Sequence, residues 1–290
     1  DQAAKIDSQK PRGIHQVPEP MYMKDKVVVI TGGATGIGYA LARTFGADGA
    51  KIVLAEPREN RLQQACEALG KSGIDARYAV CDVTDLSSVE ALADFTWTQH
   101  GQCDVLINNA GIGSREKRLP DVPMDDAHHI MNVNFWGVWH GCRVFGNRMK
   151  AQGKQAMIYN TGSENSFFCA TNAAAYIASK HAVLGLTETF REQMPDHITV
   201  GLIIPGWVST ELTPGFEDVA MHADEFAGII YPQIVAGERF VVSHAYNTVR
   251  IDERMDALKD AYASYAPRHE GDEKYDVQQY IRKIRERGQI

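Results

Sequence analysis

The chain has 290 residues, 44% of them hydrophobic and 23% charged, enough apolar content for the core of one large α/β domain. A formal net charge of −7 weighs against a polyanion-binding surface, which needs clustered Lys and Arg, so nucleic acid is not expected as a partner. No apolar run approaches the ~18 residues of a membrane span, residues 1–23 lack a signal peptide's apolar stretch, and the five cysteines form no CxxC pair, so a cytoplasmic protein with reduced thiols is expected.

Residues 1–23 contain Pro11, Pro18 and Pro20 with little apolar periodicity and read as an extension, loose or draped over the surface. The run Val27-Val28-Val29-Ile30 is continuous and β-branched, the pattern of a strand buried on both faces of a parallel sheet. Further strands are predicted at Lys51–Ala55, Ala76–Cys81, Asp104–Asn108, Ala156–Asn160, Thr199–Ile204 and Arg239–Ser243. Helical patterns alternate with them at Gly36–Asp48, Arg58–Ser72, Leu86–His100, Asp125–Ala151, Asn172–Met194 and Asp224–Ala236. Alternation of this kind predicts a doubly wound Rossmann-type α/β fold, a seven-stranded, mainly parallel sheet with helices on both faces. Residues 24–247 form the predicted dinucleotide-binding catalytic domain. Residues 248–290 extend it as a charged stretch in which Ile251, Met255, Leu258, Tyr262 and Tyr265 recur at helical spacing, so one helix is expected to pack on the domain or on a partner subunit.

The first strand runs into Thr31-Gly32-Gly33-Ala34-Thr35-Gly36-Ile37-Gly38 and then a helix, the order a pyrophosphate site requires. Gly32 turns the chain, Gly36 lets the backbone approach phosphate oxygens, Gly38 lets the helix pack closely, and Thr35 and Ile37 complete the loop at a helix N-terminus that attracts anions. Glu56 ends the second strand a little over 15 residues beyond the last glycine, where a carboxylate accepts hydrogen bonds from ribose hydroxyls and repels a 2′-phosphate, favouring NAD over NADP. Arg58 pulls the other way, as a cation that can pair with that phosphate. Asp82, followed by Val83, is placed either to meet the adenine or to cap the next helix, a role open equally to Asp85.

The glycine run at 31–38, Asn108-Asn109-Ala110-Gly111, Tyr176-Ile177-Ala178-Ser179-Lys180 and Pro205-Gly206 stand in an order and spacing by which the chain resembles the short-chain dehydrogenase/reductases over about Lys24 to Val242. That resemblance implies that Asn109, Ala110 and Gly111 support the sheet beside the adenosine ribose, and that Pro205-Gly206 turns past the nicotinamide with Val208 and Thr210 contacting its carboxamide or a phosphate. It also matches Ser163 to the family's substrate-holding serine and Asn134 to the helix asparagine that supports a water linking Lys180 to solvent. Lys180 would bind the nicotinamide ribose as well.

Tyr176 and Lys180 lie four residues apart in a helical pattern and therefore project from one face, independently of family. A free phenol, with a pKa of about 10, needs a nearby cation to act as a base at neutral pH, and Lys180 is expected to supply it. Tyr176 then passes the substrate hydroxyl proton as hydride moves to or from the nicotinamide. Ser163 lacks a G-x-S-x-G elbow, and adjacent His128 and His129 point to different helix faces, so neither a serine hydrolase nor a metal site is expected.

Residues 207–231, with Leu212, Pro214, Gly215, Phe216, Met221 and Phe226, occupy the place of a substrate lid, and Phe167, Phe168 and Cys169 follow Ser163. The expected activity is an NAD(H)-dependent interconversion of a secondary alcohol and a ketone on an apolar aromatic or alicyclic substrate. An NADPH-dependent carbonyl or oxoacyl reductase and a non-catalytic dinucleotide sensor are the alternatives. Apolar positions on more than one face of 125–151 and 172–194, Trp136 and Trp139 among them, point to a homotetramer or homodimer.

Overall fold

The computed structural model describes residues 21–113, 118–211 and 218–287. Side chains alternate across a strand, so a strand apolar at every position must be covered on both faces. In β1 (Val27–Thr31), Val28 and Ile30 enter one apolar core while Val27 and Val29 enter another.

Chain order then runs α1 (Gly36–Ala47), β2 (Lys51–Glu56), α2 (Glu59–Lys71), β3 (Ala76–Val80), α3 (Leu86–His100) and β4 (Val105–Asn108). A second half follows with α4 (Met124–Met131), α5 (Gly137–Gln152), β5 (Ala156–Thr161), α6 (Ala174–Gln193), β6 (Ile198–Ile204), the short β7 (Val208–Ser209) and β8 (Met221–His222), α7 (Ala223–Val235) and β9 (Phe240–Val242). Seven strands form one sheet in the order β3-β2-β1-β4-β5-β6-β9, every neighbouring pair parallel. Leu41 and Phe45 of α1, Leu62 and Leu69 of α2, and Ile230 and Ile234 of α7 cover one face; Leu92 of α3, Phe145 of α5 and Val183 of α6 cover the other. Each such buried side chain contributes about 1.5–3 kcal/mol by leaving water.

The structure departs from the sequence reading at the long helix and just before β1. The single helix expected over Asp125–Ala151 is interrupted by a π-turn at Asn132–Trp136 between α4 and α5. Hydrophobic periodicity does not register one inserted residue, and such bulges concentrate at functional sites. Met21 and Met23, assigned by sequence to a surface extension, are buried in the core beside α1 and α7, with the Met21 amide donating to the Val235 carbonyl at 3.1 Å; residues 1–20 of that extension lie outside the described residues. Of the predicted lid residues, Leu212, Pro214, Gly215 and Phe216 also lie outside them, and Phe226 is a core residue of α7. The segment supplies β7 and β8, which pair with one another and not with the main sheet.

The chain divides into a unit ending at Ala245 and a second unit, Tyr246–Ile290. Where one helix was expected, the described residues of the second unit form α8 (Thr248–Tyr265) and α9 (Val277–Glu286). Pro267 and the left-handed Gly271 stand between them and stop a continuous helix. α8 has no buried residue, and Met255, Leu258, Tyr262 and Tyr265 are exposed.

Candidate active site

The order of the sheet reverses direction where β1 stands between β2 and β4, and in an open α/β sheet the crevice outside the strand ends at such a point is where a ligand sits. The glycine loop crosses it. Gly32 and Gly36 have φ of +61° and +53°, left-handed values that favour glycine. A Cβ on Gly38 would stand 2.2 Å from the Gly32 carbonyl oxygen, so α1 approaches the loop as closely as a glycine allows. Thr35 is the N-cap of α1 but its side chain makes no capping hydrogen bond, which leaves amides of the first turn directed at the groove. Ile37 packs against the core beneath. A dinucleotide's pyrophosphate fits this cradle.

Asn109 holds the loop in place. Its side-chain amide donates to the carbonyls of Thr31 and Gly32, each at 3.1 Å, while the amides of Asn109 and Ala110 donate to Thr31 Oγ1 at 3.0 and 3.1 Å. Thr31 was not among the predicted site residues, although a hydroxyl at a strand's last position is a signal for such a turn.

Glu56 is buried at the end of β2 and receives a side-on pair of hydrogen bonds from Arg58, Nε at 2.7 Å and Nη2 at 3.1 Å. That contact is the first cause of the Arg58 guanidinium lying above its ordinary value. Asp85 caps α3 through the Ser87 amide, whereas exposed Asp82 turns its carboxylate onto the Thr84 amide and hydroxyl. The alternative left open by the sequence is thereby decided against Asp82 as the helix cap. Val83 is buried against Gly137, and its carbonyl meets His140 Nδ1 at 2.8 Å.

On the other side of the crevice, Asn134 and Lys180 face Gly111, and Lys180 leads on to Tyr176 and Tyr176 to Ser163. A Cβ on Gly111 would lie 3.4 Å from Asn134 Oδ1 and 3.7 Å from Lys180 Nζ. Asn134, on the π-turn, accepts from the Ile112 amide and donates to the Ile112 carbonyl and to Ser179 Oγ, at 2.8, 3.0 and 3.1 Å. Both of its amide hydrogens are thus committed to holding the β4 loop against α6.

Lys180 is buried, donates to the Thr161 carbonyl at 2.8 Å, and lies 5.6 Å from the centre of the Tyr176 ring. Burial lowers its ammonium to about 8. Burial likewise raises the Tyr176 phenol, and a hydrogen bond with Ser163 opposes that rise. The Lys180 ammonium is turned to a carbonyl and stands beside the Tyr176 ring, and desolvation works against the charged form of each group. Tyr159 offers a contrast, for its buried hydroxyl donates to the carbonyls of Ile234 and Glu238 and is spent on structure. Tyr176, half-buried, has Ser163 instead.

Ser163 begins the 3-10 turn Glu164–Ser166, with its Oγ accepting from the Asn165 amide at 3.1 Å. Ser166 was missed by sequence reasoning. Its hydroxyl accepts from the Ser163 amide at 3.2 Å and donates to the Lys180 carbonyl at 2.8 Å, tying the Ser163 turn to the helix that carries Tyr176 and Lys180. The Glu164 amide donates to the Pro205 carbonyl at 2.9 Å, which brings Pro205-Gly206 alongside the same turn. The Gly206 amide in turn donates to His244 Nδ1 at 3.2 Å. Val208 is buried by its side chain, and Thr210 reaches the glycine loop, its Cγ2 lying 3.0 Å from where a Gly36 Cβ would stand. Phe167 packs edge-on against Phe240, Phe168 is half-buried, and Cys169 is exposed.

Among the described residues, no group of three His, Cys, Asp or Glu is arranged to hold a metal ion, and no helix is long and apolar enough to cross a membrane.

The family described as short chain dehydrogenase matches residues 26–219. The chain is 30% identical over 244 residues to 1-deoxy-11-beta-hydroxypentalenate dehydrogenase of Streptomyces avermitilis, covering 81% of this chain and 90% of that protein. It is 33% identical over 195 residues to (+)-borneol dehydrogenase 2 of Salvia officinalis, covering 67% of this chain and 68% of the other. The crystal structure of a short chain dehydrogenase/reductase from Burkholderia phymatum in complex with NAD aligns with a TM-score of 0.77 at 27% identity, covering 82% of this chain and 96% of that one.

Proposed function

Because this chain belongs to the short-chain dehydrogenase family and is an oxidoreductase, we propose that it interconverts a secondary alcohol and a ketone on an apolar alicyclic or aromatic skeleton, with NAD(H) as cofactor. The observation that carries the reading is the convergence of Ser163, Tyr176 and Lys180 at the mouth of the glycine-loop crevice. When bound, the dinucleotide supplies the hydride acceptor or donor.

The chain's own residues move the proton. Tyr176 Oη takes it from the substrate hydroxyl in oxidation and returns it in reduction, while Ser163 Oγ holds the substrate oxygen as charge develops there. Lys180, anchored by the Thr161 carbonyl, is the next group inward and binds the nicotinamide ribose. Asn134 fixes the loop past which water reaches Lys180. Gly32, Thr35, Gly36, Ile37 and Gly38 hold the pyrophosphate, and Asn109, Ala110 and Gly111 lie along the ribose. Asp82 and Val83 meet the adenine. Pro205, Gly206, Val208 and Thr210 receive the nicotinamide end. Glu56 accepts from the adenosine ribose and disfavours a 2′-phosphate.

The substrate class rests on the apolar residues beside Ser163, Phe167 and Phe168, and on the hydroxypentalenate and borneol in the names of the two relatives. An NADPH-dependent reductase is the second reading, favoured by Arg58 beside Glu56 and by Arg61, which shares Glu211 with Arg58. We assign the protein to the cytoplasm and to a homotetramer or homodimer, the latter supported by Trp136 and Trp139, more than 40% exposed on one helical face.

A panel of bicyclic, monocyclic and aryl secondary alcohols incubated with NAD+ and followed at the nicotinamide absorbance tests the reading. Turnover is expected with cyclic alcohols and not with short linear primary ones. Reduction of NADP+ at a higher kcat/KM than NAD+ would move the assignment to the second reading, and no reduction of either with any alcohol would remove both.

A further inference from the structure

Glu211 follows β7 and stands immediately after Thr210, which touches the glycine loop at Gly36. Its carboxylate reaches the start of α2, where Oε2 accepts from Arg58 Nη1 at 3.2 Å and Oε1 meets Arg61 Nη2 at 3.2 Å. Glu211 and Arg58 are 153 residues apart in sequence and come from the two halves of the fold. With Glu56 on its Nε and Nη2, Arg58 has an acceptor on each of its three nitrogens.

We infer that Glu211 is a determinant of cofactor specificity, acting by neutralising Arg58 and Arg61 so that neither is available to a 2′-phosphate. The inference deepens the NAD reading above and rests on it.

Two cations at the end of the second strand would otherwise form a phosphate site, since the adenosine ribose of a dinucleotide comes to that strand end in this fold. A phosphomonoester carries a charge of about −1.5 to −2 near neutral pH and is well matched by two guanidinium groups. Glu56 alone cancels only one of them. Glu211 completes the cancellation, and the four side chains Glu56, Arg58, Arg61 and Glu211 sum to no net charge. Glu59, the first residue of α2, adds a further carboxylate nearby, held by the Tyr78 hydroxyl at 3.3 Å.

Stability does not account for the arrangement. Arg58, Arg61 and Glu211 are each between 44% and 48% exposed, and pairs this open to water contribute little to folding. The same exposure makes Glu211→Gln a substitution the fold tolerates.

The test is fluorescence titration of the full chain with NADH and with NADPH, for wild type, Glu211→Gln, and Glu211→Gln combined with Arg58→Gln and Arg61→Gln. Glu211→Gln is expected to tighten NADPH by about tenfold at low salt, with the gain shrinking as salt rises, and to leave NADH within about threefold. The triple variant is expected to lose that gain. A ratio of NADPH to NADH affinity that stays within about twofold of wild type in Glu211→Gln overturns the inference while leaving the NAD reading intact. Tighter binding of NADPH than NADH by the wild-type chain sinks the NAD reading instead, and that comparison does not involve the variants.

Discussion

Tyr176→Phe is expected to lower kcat by about 10²–10⁴-fold while NADH still binds within about threefold of wild type, because the substitution removes only the hydroxyl. The ring beside the Lys180 ammonium is retained, and the hydrogen bond with Ser163 is what the variant loses. A loss confined to KM would mean that the phenol binds substrate without moving its proton. Turnover within about threefold of wild type would remove Tyr176 from the chemistry altogether. The raised phenol sharpens the expectation for the pH profile. In the oxidation direction, activity should rise with pH as the phenolate forms, and that limb should be missing from whatever residual activity the Phe variant retains.

Lys180→Met should abolish detectable turnover and weaken NADH by about tenfold or more, since one side chain both supports the tyrosine and meets the ribose. It should also change how folding depends on pH, in a direction opposite to that of a salt-bridged lysine. Burial lowers Lys180 from its ordinary 10.5 to about 8. Below pH 8 both folded and unfolded chains hold the proton, and the fold bears the full penalty of a buried ammonium. Between about 8 and 10.5 the folded chain has released a proton that the unfolded chain keeps, so the lysine's contribution to stability improves with rising pH and levels off above that window. Urea unfolding of the ligand-free chain should show a gain on the order of 1–3 kcal/mol across those pH values in wild type relative to Lys180→Met. Parallel pH curves for the two proteins would contradict the assignment of a buried, titrating Lys180.

Much of this architecture was legible in the residues because the chemistry involved is local. Parallel strands covered on both faces read as unbroken apolar runs, and β1 shows why, its alternate residues entering different cores. Tyr176 and Lys180 were legible for the same reason, since helix geometry alone places positions four apart on one face. What escaped was non-local. Ser166 looks like one more loop hydroxyl until the fold sets it between the Ser163 amide and the Lys180 carbonyl. Asn134 was recognised, yet the π-turn that aims it at Ile112 and Ser179 leaves no trace in hydrophobic period. The direction of the Lys180 ammonium depends on the Thr161 carbonyl, which spacing along the helix cannot supply. Met21 and Met23 were misplaced because prolines before them outweighed two isolated apolar side chains that the core takes up.

The glycine loop illustrates how sequence and structure divide the work. Glycines at 32, 36 and 38 announce a tight turn, but their purpose rests on distances. A Cβ on Gly38 would stand 2.2 Å from a backbone oxygen, and Asn109 clamps the loop from the end of β4. Together with an α1 N-terminus that no side chain caps, this forms the cradle proposed for the pyrophosphate.

The most direct measurement is a crystal structure of the chain grown with NADH. The account predicts the pyrophosphate on the Gly32–Gly38 loop, the adenosine ribose at Glu56, and the nicotinamide beside Pro205-Gly206, its ribose within hydrogen-bonding reach of Lys180 and its reactive face turned to Tyr176 and Ser163. A dinucleotide bound with its nicotinamide directed away from Tyr176, or seated outside the crevice between β1 and β4, would contradict it.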